Sequence, residues 1–225
     1  MRHSQPNLLL CAAAGLFAAL AVAPVARAFP KPSIYPVAWQ FKFDHSLPKR
    51  IVVKAPGSNS PVAYWYMTFT ITNNTDEEQR FLPVFEMVTD DGKVIRSDKE
   101  VPPAVFDAVK ERERKRSLEP IEKITGRILI GEDQARDGVA IWKEPSPRMG
   151  TFHIFVSGLS GEVAYMKDGD EVDQKKLQWY KISDEERKKY KVLRKTLDLT
   201  YQIPGDEIRP DEDPVLLKSE EWVMR

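Results

Sequence analysis

The sequence predicts a mostly β chain folded as an antiparallel sandwich, and three observations predict it. Residues 63–75, AYWYMTFTITNNT, alternate Trp65, Met67, Phe69 and Ile71 with Tyr66, Thr68, Thr70 and Thr72. Period two over this length, rich in aromatic and β-branched residues, is the signal of a half-buried strand. Shorter alternating stretches recur downstream, Phe152, Ile154 and Val156, then Leu197, Leu199, Tyr201 and Ile203. Turn signals separate such stretches at short, regular spacing, which is the pattern of a sandwich rather than of βαβ units.

The chain opens on an export signal. Arg2 and His3 precede an uncharged apolar run over residues 8–23, and Ala26-Arg27-Ala28 supplies the small-x-small cleavage pattern. Cleavage is expected after Ala28, leaving residues 29–225 as one domain. The run is shorter than the roughly 20 residues that span a bilayer, so a retained anchor is disfavoured. The single cysteine, Cys11, lies inside this run. The mature chain is therefore expected to fold in an oxidising compartment, periplasmic or extracellular, without a disulfide.

Residues 29–36 hold Pro30, Pro32 and Pro36 and read as an extended leader. Trp39, Phe41 and Phe43 alternate with Gln40 and Lys42 as a first strand, and residues 51–53 form a second. The inward side chains of the 63–75 strand contribute about 1.5 to 3 kcal/mol each on burial. That weight places it in the middle of a sheet. Asn73-Asn74 ends it, since Asn tolerates left-handed backbone. Residues 81–88 read as the next strand, with Pro83 marking an edge or a bulge. Asp91-Gly92 signals a hairpin returning through residues 93–96.

Pro102-Pro103 then opens the one helical pattern, residues 102–116. Val105, Phe106 and Val109 form its apolar stripe, and Glu111–Lys115 and Glu113–Arg116 stand at ion-pair spacing. Strand signals resume at residues 128–130, 139–142 and 152–156. Residues 160–192 form a charged insertion, with a capping box at Ser183-Asp-Glu-Glu186. Residues 197–203 read as the last long strand, closed by Pro204-Gly205.

Trp65 through Asn74, with Pro83-Val84-Phe85 beyond, resembles the core strand pair of bacterial exported immunoglobulin-like modules. Ile130-Gly131-Glu132 with residues 138–142 resembles their later loop and strand. The tail, with Glu221-Trp222-Val223, is similar to exported families of unknown function in planctomycete-type bacteria. This resemblance implies an immunoglobulin-like antiparallel β-sandwich, into which the residue pattern adds one short inserted helix and a charged insertion before the last long strand. It departs from antibody domains in lacking both cysteines, and it brings no catalytic residues.

Charge excludes some functions. The chain carries 34 basic and 34 acidic residues. The signal holds Arg2 and Arg27 and no acid, so the mature net charge is −2. Nothing there attracts nucleic acid in bulk. The basic run at residues 110–116 contains Glu111 and Glu113 and no aromatic, as a solvated helix does. No second apolar run spans a membrane.

Catalytic and metal-binding patterns are equally sparse. His45 and His153 are the only histidines of the mature chain, too few for a three-histidine zinc site. Asp168, Asp170 and Asp173 in KDGDEVD miss the EF-hand spacing and read as a solvated acidic turn. Gly158-Leu-Ser-Gly161 is one spacer short of a nucleophile elbow. No cofactor is expected. The interaction lead is aromatic: Tyr64 and Tyr66, opposite Trp65 on their strand, and Trp179-Tyr180 in the charged insertion. The sequence thus suggests a non-enzymatic binding or structural module with a protein or glycan partner. A carbohydrate-binding accessory and a small hydrolase are the alternatives. Asn73-Asn74-Thr75 also fits the glycosylation acceptor pattern.

Overall fold

The computed structural model describes residues 29–54, 57, 59–146, 149–175, 177, 179–204 and 214–225. The expected signal peptide with Cys11, and most of the acidic stretch after Pro204, lie outside the described residues. In chain order the elements are β1 (Lys42–His45), β2 (Lys49–Val53), β3 (Val62–Thr72), β4 (Gln79–Phe81), β5 (Val84–Thr89) and β6 (Val94–Arg96). Helix α1 (Pro103–Glu113), β7 (Glu119–Pro120), α2 (Ile121–Ile124), β8 (Gly126–Ile128) and β9 (Arg136–Lys143) follow. Then come β10 (Thr151–Ser157), β11 (Val163–Lys167), β12 (Asp170–Val172), α3 (Asp184–Arg187), β13 (Lys191–Gln202) and β14 (Leu216–Met224).

The fold is mostly β and almost wholly antiparallel. One sheet runs β1-β3-β9-β7 with β2 also on β3, and only the two-residue β7 pairs in parallel. A second, larger sheet runs β12-β11-β13-β10-β5-β6 with β14 on β13, and β4 and β8 form a third of two strands. The strand at residues 62–72 is central, as its apolar weight requires: it pairs with β1 and β2 and with β9. Trp65, Met67, Phe69 and Ile71 share one core with Phe85, Met87, Phe152, Ile154, Val156, Leu197, Leu199 and Tyr201 of the second sheet. Ring pairs cross between the sheets, Trp65–Phe152 at 5.9 Å and Phe69–Phe85 at 4.9 Å. Gly138, opposite Phe69 on β9, makes room for that ring: a Cβ there would lie 2.3 Å from Phe69 Cζ.

The outer face of β3 differs from the sequence expectation. Tyr64 and Tyr66 are 4% and 0% exposed. They form a second core with Val139 and Ile141 of β9 and Val105 and Val109 of α1. The inserted helix lies over this face and removes both tyrosines from solvent. The ion pairs expected within the helix give way to tertiary partners. Lys49 and the Tyr66 hydroxyl both hold Glu113, at 2.9 and 2.7 Å, and Lys115 reaches Asp137 at 2.6 Å.

Three further expectations are corrected. The strand expected over residues 81–88 is two: Pro83 cannot donate a ladder bond, so β4 pairs with β8 and β5 joins the large sheet. The charged insertion holds a strand pair as well as its cap, where KDGDEVD reads from the sequence as a solvated acidic turn. Asp168 (φ 53°) and Gly169 (φ 90°) turn a two-residue hairpin between β11 and β12, and Lys167 pairs with Asp170. Residues 197–203 are not the last strand, because β14 pairs along β13 from Lys195↔Met224 to Gln202↔Leu216. The Asp91-Gly92 hairpin and the Ser183 cap, which accepts from the Glu186 amide, form as expected.

Asn73 is wholly buried. Its Nδ2 donates to the carbonyls of Glu77 (2.9 Å) and Ile128 (3.1 Å), and its Oδ1 accepts from the Thr75 amide and hydroxyl. The amide nitrogen that glycosylation needs is therefore occupied in the folded chain. Asn73→Ala deletes these four bonds, with the Glu77 carbonyl keeping the Thr75 hydroxyl as a donor, and is expected to cost about 2–4 kcal/mol in a urea titration.

Candidate functional site

Residues 29–36 form one wall of a groove of about 740 Å³. Trp222, Val223 and Met224 at the end of β14, with Gln40 and Lys195, form the other. The leader stands here because a buried ion pair grips its backbone. The Lys195 and Glu162 side chains are 4% and 8% exposed, with Nζ 3.1 Å from Oε2 but out of line for a hydrogen bond. Glu162 Oε1 accepts from the Ser33 amide at 2.7 Å, and Lys195 Nζ donates to the Ser33 carbonyl at 3.3 Å. The ammonium also sits 5.1 Å from the centre of the Trp222 ring.

Burial works against the Glu162 carboxylate. The bonds from Ser33 and the Lys195 ammonium outweigh it and hold its pKa below the usual value. Both polar groups of one leader residue are thus read by a charge pair, while the walls around it are aromatic and aliphatic. Gln40 Oε1 is buried in the same groove without a hydrogen-bond partner. This is the chemistry of a site for an extended chain: main-chain groups matched by polar atoms, side chains by apolar surface.

The residues singled out in the sequence do not converge on it. Tyr64 and Tyr66 are in the second core. Trp179 is half-buried, its ring 4.8 Å from Tyr165 and 5.7 Å from Tyr190, with the Arg187 guanidinium 5.5 Å away. Tyr180 is 77% exposed. The planes of Trp179 and its neighbours are tilted by 36° and 80°, so these rings form a corner rather than a platform.

His45 is at the end of β1, not in a loop, and lies 3.3 Å from the Tyr201 hydroxyl and 3.7 Å from Glu220. His153 bonds to Asp198 at 2.8 Å on the outer face of the large sheet. Among the described residues no group of three or more histidines and carboxylates is placed to hold a metal ion. Nor is any helix among them long and apolar enough to cross a membrane.

The groove escaped the sequence analysis because its parts are far apart in the chain, at residues 29–40, 162, 195 and 222–224. The proline-rich leader was the one visible signal. The chain matches no protein-family model, no curated protein and no solved structure.

Proposed function

We propose that the chain is a non-enzymatic exported binding module on an immunoglobulin-like sandwich, and that its groove takes an extended apolar segment of a partner protein. The observation that carries this reading is the leader itself. It is an extended, proline-rich segment seated beside Trp222 and Met224, with its Ser33 backbone held by Glu162 and Lys195. The open side of the groove, between this wall and Trp222, Val223 and Met224, has room and apolar surface for a second extended segment laid alongside the leader.

Strand order supports the immunoglobulin-like part. β1-β3-β9-β7 follows the A-B-E-D order of that fold, and β6-β5-β10-β13 follows C′-C-F-G. Trp65 on β3 and Phe152 on β10 meet where antibody domains join their sheets by a disulfide. The glycan alternative rests on Tyr180, the one well-exposed ring of the four aromatics named from the sequence.

The test uses the groove's own methionine. A peptide with the sequence of residues 29–37, titrated into methyl-labelled protein, is expected to shift the Met224 methyl resonance saturably. Trp222→Ala should weaken that binding about tenfold, as loss of an aromatic anchor does. An unmoved Met224 signal at millimolar peptide overturns the reading.

A further inference from the structure

Another, smaller pocket lies between α1 and α2, the helices that pack against β3 and β9. It measures about 210 Å³, the share of about seven waters in the liquid. Val101, Pro103, Phe106, Pro120 and Ile141 make it apolar, and Asp98 lines it. Asp98 Oδ2 is buried and has no hydrogen-bond partner. An acceptor left unmet inside a protein needs a cause, because it forfeits its hydration for nothing. The backbone is also held in an unusual state: Asp98 and Glu100 both adopt left-handed conformations, φ 60° and 59°. The Asp98 amide is locked onto the Ile141 carbonyl at 2.7 Å. Strain of this kind at non-glycine residues persists where the surroundings hold a side chain in place, and it concentrates at binding sites.

We propose that this pocket binds a primary alkylammonium group, its nitrogen against the Asp98 carboxyl and its alkyl stem along Phe106 and Ile141. The charges facing the pocket choose the sign of the ligand. Asp107 of α1 and Glu122 of α2 line it with Asp98, and no lysine, arginine or histidine does so. The amino end of α1 brings a positive field there, equivalent to about half a charge, and the Lys110 ammonium lies 5.8 Å from the centre of the Phe106 ring without lining the pocket. An anion would meet three carboxyl groups, whereas an ammonium supplies the donor that Oδ2 lacks. Burial, reinforced by the charge on Glu122 and opposed by a hydrogen bond from Ser97, pushes the empty-pocket Asp98 carboxyl up to about 7. The ligand binds the ionised form. Binding therefore releases a proton near neutrality, and affinity rises with pH. At pH 5.5 about one molecule in 30 has the carboxylate ready, so affinity there is about 30-fold below that at pH 8.

The amine has two sources, a lysine side chain of a partner protein or a free small amine. The test titrates the mature chain with n-butylammonium and, separately, with Nα-acetyl-lysine amide, following the Asp98 carboxyl carbon by NMR at pH 5.5 and 8. Saturable binding of either amine at pH 8, about 30-fold weaker at pH 5.5 and absent for n-butanol, supports the proposal. Binding of the lysine derivative alone assigns the site to a protein partner, and binding of n-butylammonium alone assigns it to a small amine. Asp98→Asn is expected to abolish binding. Glu122→Gln, at the exposed rim, should weaken it several-fold and move its pH dependence to lower pH, since the charge that helps raise the Asp98 carboxyl is gone, which covers the case of an Asp98 variant that fails to fold. An Asp98 resonance unmoved by 100 mM of both amines at pH 8 overturns the proposal. So does a folded Asp98→Asn variant that binds as the parent does. The Met224 signal of the larger groove is not expected to respond, so the two sites stand or fall separately.

Discussion

Trp65→Ala should leave residues 29–225 largely unfolded at 37 °C. Trp65 is fully buried, it meets Phe152 of the other sheet at 5.9 Å, and its Nε1 donates to Glu144 at 3.2 Å. Deleting a buried tryptophan leaves a cavity that the strands on either side cannot close, because β3 is fixed by ladders to β1, β2 and β9. The cost is about 3–5 kcal/mol. That is a large part of the roughly 5–15 kcal/mol by which whole domains are stable. No disulfide is available in residues 29–225 to restrain the unfolded chain and offset it. Thr68, only half-buried, should change stability by less than about 1 kcal/mol on substitution by alanine. Denaturant midpoints followed by circular dichroism measure both. Equal midpoints would mean that β3 presents its faces the other way round. A double-mutant cycle with Phe152→Ala isolates the ring pair itself, expected to couple by about 0.5–1.5 kcal/mol.

How much of this was legible follows from what each signal depends on. β3 was readable because alternation is local, and eleven residues of it leave little doubt about period. What alternation does not reveal is whether the second face meets water or another layer. Tyr64 and Tyr66 looked exposed, yet α1 covers them, and only the pairing of Val105 and Val109 with that face decides it. Asp168-Gly169 is a different lesson. It carries the same Asp-Gly pair that marked the hairpin at Asp91-Gly92, but the surrounding charge made it read as an acidic turn. Tyr165 and Met166 before it, and Val172 after it, supplied too little apolar contrast to mark strands. β14 hid for the same reason, since Lys218, Glu220 and Glu221 break its pattern and its strength comes from pairing with β13. Both pockets depend on contacts across more than a hundred residues or between helix and sheet, where sequence spacing carries no information.

The Lys195–Glu162 pair is where fold and candidate site meet, and Lys195→Met should break both. Two charges this deeply buried repay their lost hydration only while they face each other. With methionine at 195, Glu162 keeps its burial and its bond from Ser33 but loses the ammonium, and the Ser33 carbonyl loses its donor. The expected cost is about 3–5 kcal/mol, a fall in Tm of roughly 10 °C for a domain of this size. The double variant Glu162→Gln, Lys195→Met should recover most of it, because no unpaired charge remains inside. Leader attachment separates the two outcomes. Protection of the Ser33 amide against hydrogen exchange should fall in part in the single variant, where the bond to residue 162 alone still holds the leader, and should not recover in the double one, since the carbonyl still lacks its donor. In the parent chain the sign of the pH effect is set by Glu162, whose carboxyl is depressed in the folded state. Its contribution is complete above the ordinary carboxylate value near 4.5 and is lost as pH falls below it. Ser33 protection that is flat from pH 8 to 5 and falls on further acidification is the expected profile. Protection that falls as pH rises toward 8 would show that the leader is held by something other than this carboxylate, and the groove would then need a different account of its wall.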